Sequence, residues 1–284
     1  PDGMSVTYKL KQGVVWSDGE PFTARDVRFT WEWVANPDNN SPNQAVYQVI
    51  RDVEIVDDYT VTLHFYEPTP GWFNPFVGGF KGGILPEHIM KDYVGERARE
   101  APFNLAPIGT GPYKVVEFRP GDVVLFEINE HFREPDKPYF QRIEWKGGGD
   151  PTSAGRAVLQ TGEADFAWNL QVDKQVLESL ERGGLGSILV TPWASAEQIM
   201  VNFADPTVEV NGARSEPSTT HPFFSDPRVR QALALACDRQ TISEVLYGET
   251  GTPTANVLNA PPQFVSPNTS FRYDLEEAGR LLDE

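Results

Sequence analysis

The sequence predicts an α/β fold, and three observations predict it. Apolar residues recur at every second position in some segments and at helical spacing in others, and the two kinds alternate through the N-terminal third and again from Thr152 onward. Of the 284 residues, 39% are hydrophobic and 12% aromatic, enough to fill one large domain or two ordinary ones. Clusters of Gly, Pro, Asn and Asp fall between the periodic segments, where turns are needed.

Taken in order, Val6, Tyr8 and Leu10 alternate as a half-buried strand, and Ser17-Asp18-Gly19 turns the chain. Thr23 and Asp26 have the spacing of a capping box, ahead of a helix that buries Val27, Trp31 and Val34. Turn formers at residues 36–40 end it, and Val61, Leu63 and Phe65 then alternate with polar neighbours as a strand closed by Pro68 and Pro70. A helix is expected after Pro86. Residues 101–112, rich in proline, lead into strands carrying Tyr113 and Val115, then Val124, Phe126 and Ile128. Residues 154–160 read as helix, 162–165 as a turn, 166–168 as a short strand and 172–180 as a helix. Ile188 with Val190, and then Ile199, Val201 and Phe203, read as further strand, followed by a polar loop over residues 205–222 that reads as a crossing between lobes.

Asp226 caps a helix that Pro227 opens, with Val229, Ala232, Leu233 and Ala236 in its apolar stripe. Asp238 restarts the pattern, Ile242, Val245 and Leu246 form a second stripe, and Gly248 supplies a left-handed stop. Leu275, Ala278, Leu281 and Leu282 make a last stripe whose partners are expected outside this sequence.

Composition narrows the function classes. A formal charge of −17 with no clustered Lys or Arg argues against nucleic acid and anionic membranes as partners. No run of about 18 apolar residues exists for a membrane-spanning helix, and residues 1–10 lack the basic and apolar regions of a signal peptide. Cys237 is the only cysteine, which leaves no internal disulfide or cysteine zinc cluster, and its place in a helical stripe points to core packing. His64, His88, His131 and His221 stand far apart without metal-ligand spacing, so no metal or other cofactor is expected and each reads as a surface or loop residue. The glycine runs at residues 78–83 and 147–150 lack the lysine and hydroxyl of a phosphate loop and read as flexible turns. No carboxylate pair stands out as acid and nucleophile, so no catalytic residue is nominated, and Glu32, Glu163 and Asp165 read as structural.

The segment FSDPRVRQALALACDRQTI (residues 224–242) resembles the signature of the family 5 extracellular solute-binding proteins, the peptide-binding components of ABC importers. LKQGVVWSDGEPFTARDVRFTWE (10–32), IGTGPYKVVEF (108–118) and VLQTGEADF (158–166) resemble the same family in the same order, so the resemblance covers essentially the whole chain. It implies a type II periplasmic-binding-protein fold of two lobes, each a mixed sheet flanked by helices. Residues 1–221 would form the first lobe, with an inserted β-rich subdomain over roughly 35–150, and 222–284 the start of an incomplete second lobe, in a fragment lacking both ends. The implied function is capture of an extracytoplasmic solute, by default an oligopeptide or dipeptide, and its delivery to ABC permease subunits without covalent chemistry. Members also carry nickel complexes, haem, opines and cello-oligosaccharides. The resemblance further implies a monomer, periplasmic or at the cell surface, that meets the membrane only through an N-terminal lipid anchor outside this sequence.

Ligands of open α/β sheets bind at the carboxyl ends of strands, and rigid aromatic rings suit such a cleft. Among Trp16, Trp31, Trp33, Trp72, Trp145, Trp168 and Trp193, this singles out Trp168 with Asn169 after the GEADF turn, and Trp193 before the segment carrying Asn202 and Phe203. Gly79 and Phe80 form a third group, where ligand could approach backbone. Asp18 and Asp26 are expected to serve the turn and the helix start, and Arg228 and Arg230 a salt-bridged helix face. Two readings from other classes are a secreted carbohydrate-active enzyme or oligosaccharide-binding protein with an aromatic cleft, and a regulator fused to a DNA-binding domain.

Overall fold

Val61, Leu63 and Phe65, the clearest alternation in the sequence, are at most 1% exposed and form the centre of the first sheet. The structure, a computed structural model, describes residues 2–76, 82–147, 149–191 and 194–284, with only the backbone of Glu249. The chain divides into two compact units, Pro1–Gly148 and Gly149–Glu284, and the expected lobe boundary at residues 221 and 222 falls inside the second.

In the first unit, β1 (Ser5–Lys9), β2 (Ile50–Asp57) and β3 (Thr60–Phe65) form an antiparallel sheet in the order β1-β3-β2. Val6 pairs with Leu63 and Tyr8 with Val61, so the inward faces coincide. Helix α1 (Ala24–Ala35) packs over this sheet through Ala24, Val27 and Val34, and the short helix α2 (Gln44–Tyr47) adds Tyr47 to the same core. The capping box is complete: Thr23 Oγ1 accepts from Arg25 N–H and the Asp26 carboxylate accepts from Thr23 N–H at 2.9 Å. Asp26 does more than cap. It is 4% exposed, and its second oxygen accepts the N–H of Glu87 at 3.0 Å, fixing the start of α3 (Glu87–Met90) to the start of α1. Thr30 repeats the device, donating to Asp26 O and accepting from Leu85 N–H at 2.8 Å. Asp18 pairs with His88 at 2.8 Å; partial burial raises its pKa, but hydrogen bonds from His88 and the Glu20 N–H outweigh that and hold it below the usual carboxylate range.

A second antiparallel sheet of β4 (Tyr113–Arg119), β5 (Val123–Ile128) and β6 (Arg142–Lys146) completes this unit. Val124 faces Trp145 and Phe126 faces Ile143, and the Phe126 and Trp145 rings meet edge to face at 4.7 Å.

The second unit begins with α4 (Pro151–Arg156), capped by Asp150, which runs into a π-helical turn at Ala157–Thr161. Helix α5 (Lys174–Glu181) buries Leu177 and Leu180. The chain passes so close to itself after α5 that a Cβ on Gly183 would sit 2.6 Å from Leu159 O, which requires glycine there. A small hairpin of β7 (Glu209–Val210) and β8 (Ala213–Arg214) precedes α6 (Pro227–Ala236) and α7 (Arg239–Ile242), and α8 (Leu275–Asp283) ends the chain.

Several expectations change here. Residues 166–168, 188–190 and 199–203 have no strand pairing among the described residues. Their side chains suit a pleated surface, but a strand exists only where a neighbour takes its main-chain bonds. The inward face of α6 is Ala232 and Leu235, which pack on Ala278 and Leu281 of α8, while Leu233 is 46% exposed. The last stripe therefore finds part of its partner inside this sequence. Ile242, Val245 and Leu246 are exposed, and Cys237 is a half-buried C-cap rather than a core residue. Gly248 has φ 57° and ψ −127°, a glycine conformation but not the left-handed helical one. His221 lies in a loop, as read, but is buried there rather than at the surface.

Candidate functional site

The loop over residues 205–222 is not a simple crossing. Asn211 and Gly212 have φ of 52° and 82°, the two positive values that a tight two-residue hairpin turn needs, and they join β7 to β8. The loop is clasped at its base. His221 N–H donates to Phe203 O at 2.7 Å, Ser215 N–H to Asp205 O at 3.2 Å, and Asp205 N–H to Thr219 Oγ1 at 2.9 Å. The Asp205 carboxylate accepts the Thr207 hydroxyl at 2.6 Å and the Thr207 N–H at 2.7 Å, and these bonds hold its pKa below the usual carboxylate range.

His221 secures the clasp from the other side. Its Nδ1 accepts the N–H groups of Phe223 and Phe224 at 3.2 and 3.1 Å, and its ring stacks on Phe224 at 4.4 Å. Arg230, reaching back from α6, donates to the carbonyls of Phe224 and Ser225 and lays its guanidinium over the Phe203 ring at 5.1 Å. Arg228 instead pairs with the capping Asp226 at 2.7 Å. The two arginines thus serve the scaffold, and Arg230 holds Phe203 in place while leaving that ring 54% exposed.

Between the strand-like segment 201–204 and the returning arm of the loop lies an open pocket of about 360 Å³. Val201, Asn202, Phe203 and Ala204 line one side, and Ser215, Pro217 and Thr219 the other. Its volume lies within the range of roughly 300–1,000 Å³ common for ligand sites. A second cavity, about 140 Å³ between Tyr8, Val61 and Phe76, is smaller than that range. Asn202 Oδ1 accepts from Ala204 N–H at 2.9 Å, which turns the backbone and fixes the side chain at the rim.

The structure therefore brings two of the nominated residues, Asn202 and Phe203, to one pocket. Trp168, 78% exposed, and Asn169, at φ 55°, do not line it. Trp193, Gly79 and Phe80 lie outside the described residues. Ser215, Pro217 and Thr219 were not nominated from sequence, although the Asn211-Gly212 pair is a legible hairpin signal that would have folded the loop back onto Phe203. Among the described residues no group of three or more His, Cys, Asp or Glu is placed to hold a metal ion, and no helix is long and apolar enough to cross a membrane.

Comparisons with known proteins extend over the whole length of the chain. A protein of Brucella ovis named as an ABC transporter peptide-binding protein is 29% identical over 285 residues, covering 100% of this chain and 49% of that protein. The glutathione-binding protein GsiB of Salmonella typhimurium is 26% identical over 283 residues, again covering 100% of this chain and 50% of its own length. The chain thus spans about half the length of the curated relatives it matches. Among solved structures, NikZ from Campylobacter jejuni in complex with Ni(L-His) superposes with a TM-score of 0.77 at 28% identity, covering 99% of this chain and 52% of that one. The oligopeptide-binding protein AppA from Bacillus subtilis, in complex with a nonapeptide, gives 0.73 at 25% identity, with 99% and 52% covered. These are substrate-binding proteins rather than enzymes, and the fold is that of the type II periplasmic binding proteins. The model of the bacterial extracellular solute-binding proteins, family 5, matches residues 1–284, and the chain belongs to that family.

Proposed function

We propose that the full-length protein is the extracytoplasmic substrate-binding component of an ABC importer, that its cargo is a short peptide, and that Asn202 and Phe203 touch it. The observation that carries this reading is the pocket beside Phe203. The segment at residues 201–203, without a ladder partner among the described residues, lines a pocket that has no ionisable side chain and leaves main-chain groups of Val201 and Asn202 for a ligand to pair with. A peptide supplies both a main chain to pair and side chains to fill pockets. The names of the Brucella, GsiB and AppA relatives support the same class.

On this reading residues 1–221 belong to the first lobe, with a β-rich insertion over roughly 35–150, and residues 222–284 begin the second. Trp168 with Asn169 is a second ligand contact, its exposed ring free to cover a bound peptide; Trp193, Gly79 and Phe80 remain in the proposed set. Closure of the lobes is a population shift that the ligand drives by touching both. The protein acts as a monomer, outside the cytoplasm, handing its cargo to permease subunits and held at the membrane by an N-terminal lipid anchor.

Calorimetry of the full-length protein with a pool of di- to pentapeptides tests this. Binding is expected, and Phe203→Ala is expected to weaken it about tenfold, the usual effect of removing a contact aromatic. Absence of heat with every peptide length refutes the peptide reading.

A further inference from the structure

The returning arm of the clasped loop makes one wall of the pocket, and its chemistry restricts what enters. Neither wall contributes an ionisable side chain. Of the charged groups nearest the pocket, the Asp205 carboxylate is engaged by the Thr207 hydroxyl and N–H and the Arg230 guanidinium by two carbonyls and the Phe203 ring, while Arg214 and Glu216, on the arm itself, do not line it. The Thr219 hydroxyl is occupied in both directions, donating to Glu216 O at 2.7 Å and accepting from Asp205 N–H. Among the lining side chains this leaves the Asn202 amide N–H groups and the Ser215 hydroxyl to meet a ligand. Both are neutral. A charged group entering the pocket loses hydration and gains no counter-charge, whereas an apolar or hydroxylated one loses little.

Ser215 is held where it can matter. Its backbone is at φ 59°, and its N–H is bonded to Asp205 O, so its position follows the clasp rather than the hairpin tip. We propose that the arm from Ala213 to Thr219 is a specificity element, that the pocket takes an uncharged side chain of the bound peptide, and that position 215 sets the charge it accepts. The proposal rests on the peptide reading above.

The test is calorimetry of the full-length protein with trileucine, triserine, trilysine and triglutamate. Wild type is expected to bind trileucine or triserine at least tenfold more tightly than either charged tripeptide. Ser215→Asp is expected to move the trilysine-to-trileucine affinity ratio at least threefold toward trilysine, and Ser215→Ala to keep the wild-type order. Pro217→Asp, on the exposed part of the same arm, makes the same test if Ser215→Asp does not fold. A shift below threefold in the variant that folds, or a wild-type preference for a charged tripeptide, overturns this proposal and leaves the peptide reading standing. If wild type binds the di- to pentapeptide pool but none of the four, this proposal is overturned and the peptide reading stands; if it binds neither, the peptide reading itself fails.

Discussion

Asp26 offers the most quantitative check on how the first unit is held together. One carboxylate oxygen accepts Thr23 N–H at 2.9 Å, the other accepts Glu87 N–H at 3.0 Å, and the side chain is 4% exposed, so neither donor can turn to water when it is removed. Hydrogen bonds to a charged acceptor contribute about 1.5–3 kcal/mol each, so Asp26→Ala, which removes two, should cost about 3–6 kcal/mol. Asp26→Asn keeps one acceptor and presents an N–H group to the second donor, so about half of that loss is expected. Thr23→Ala removes the side-chain cap, including the bond from Arg25 N–H at 3.3 Å, and should cost about 1 kcal/mol, the usual value for a lost N-cap. Urea unfolding of the full-length protein, followed by tryptophan fluorescence, reads all three, because Trp16 is 3% exposed in the same unit. An Asp26→Ala loss below 1 kcal/mol, or a Thr23→Ala loss as large as that of Asp26→Ala, would falsify the claim that Asp26 joins α1 to α3.

Other predictions concern the second unit. Asp150, Asp226 and Asp238 are all held below the usual carboxylate range, by the Ser153 hydroxyl, the Arg228 guanidinium and the Thr241 N–H respectively. A lowered folded pKa adds stability above the unfolded value, about 4, that disappears as pH falls through the folded value. Melting temperature should therefore change little between pH 7 and 5 and drop below about pH 4; an equal value at pH 3 and 6 contradicts this. Gly183→Ala places a methyl 2.6 Å from Leu159 O and should cost about 1–3 kcal/mol by forcing the turns apart, as thermal unfolding would show.

Much of this fold was legible because its signals are local. Thr23 with Asp26, Asp226 with Pro227, and the alternation of Val61, Leu63 and Phe65 each act within one turn or one strand, and each formed as read. Strand β2 escaped notice because register shifts interrupt its period: Ile50 and Val53 are both buried although three residues apart. The segments at 166–168 and 199–203 were read as strands from side chains alone, but pairing is a property of two segments. At the pocket, Asn202 and Phe203 were found because they follow an apolar alternation. Ser215 and Thr219 were missed because their place depends on a turn at Asn211-Gly212 and on hydrogen bonds to Asp205, which no short window contains.

The clasp at the base of the 205–221 loop separates the loop's tip from its stem. Phe203, Asp205, Thr219 and His221 fix the two ends, so the residues around Asn211 and Gly212 project without carrying the fold. That is the geometry sought for attaching a reporter. A cysteine-linked dye at Asn211 would sit on the turn that leads into the arm walling the pocket, outside the residues that line it. Cys237 is the only cysteine of this sequence, so Cys237→Ser leaves a cysteine placed at position 211 as its single thiol. The tip is thus an attachment point that leaves the clasp, and with it the pocket beside Phe203, undisturbed.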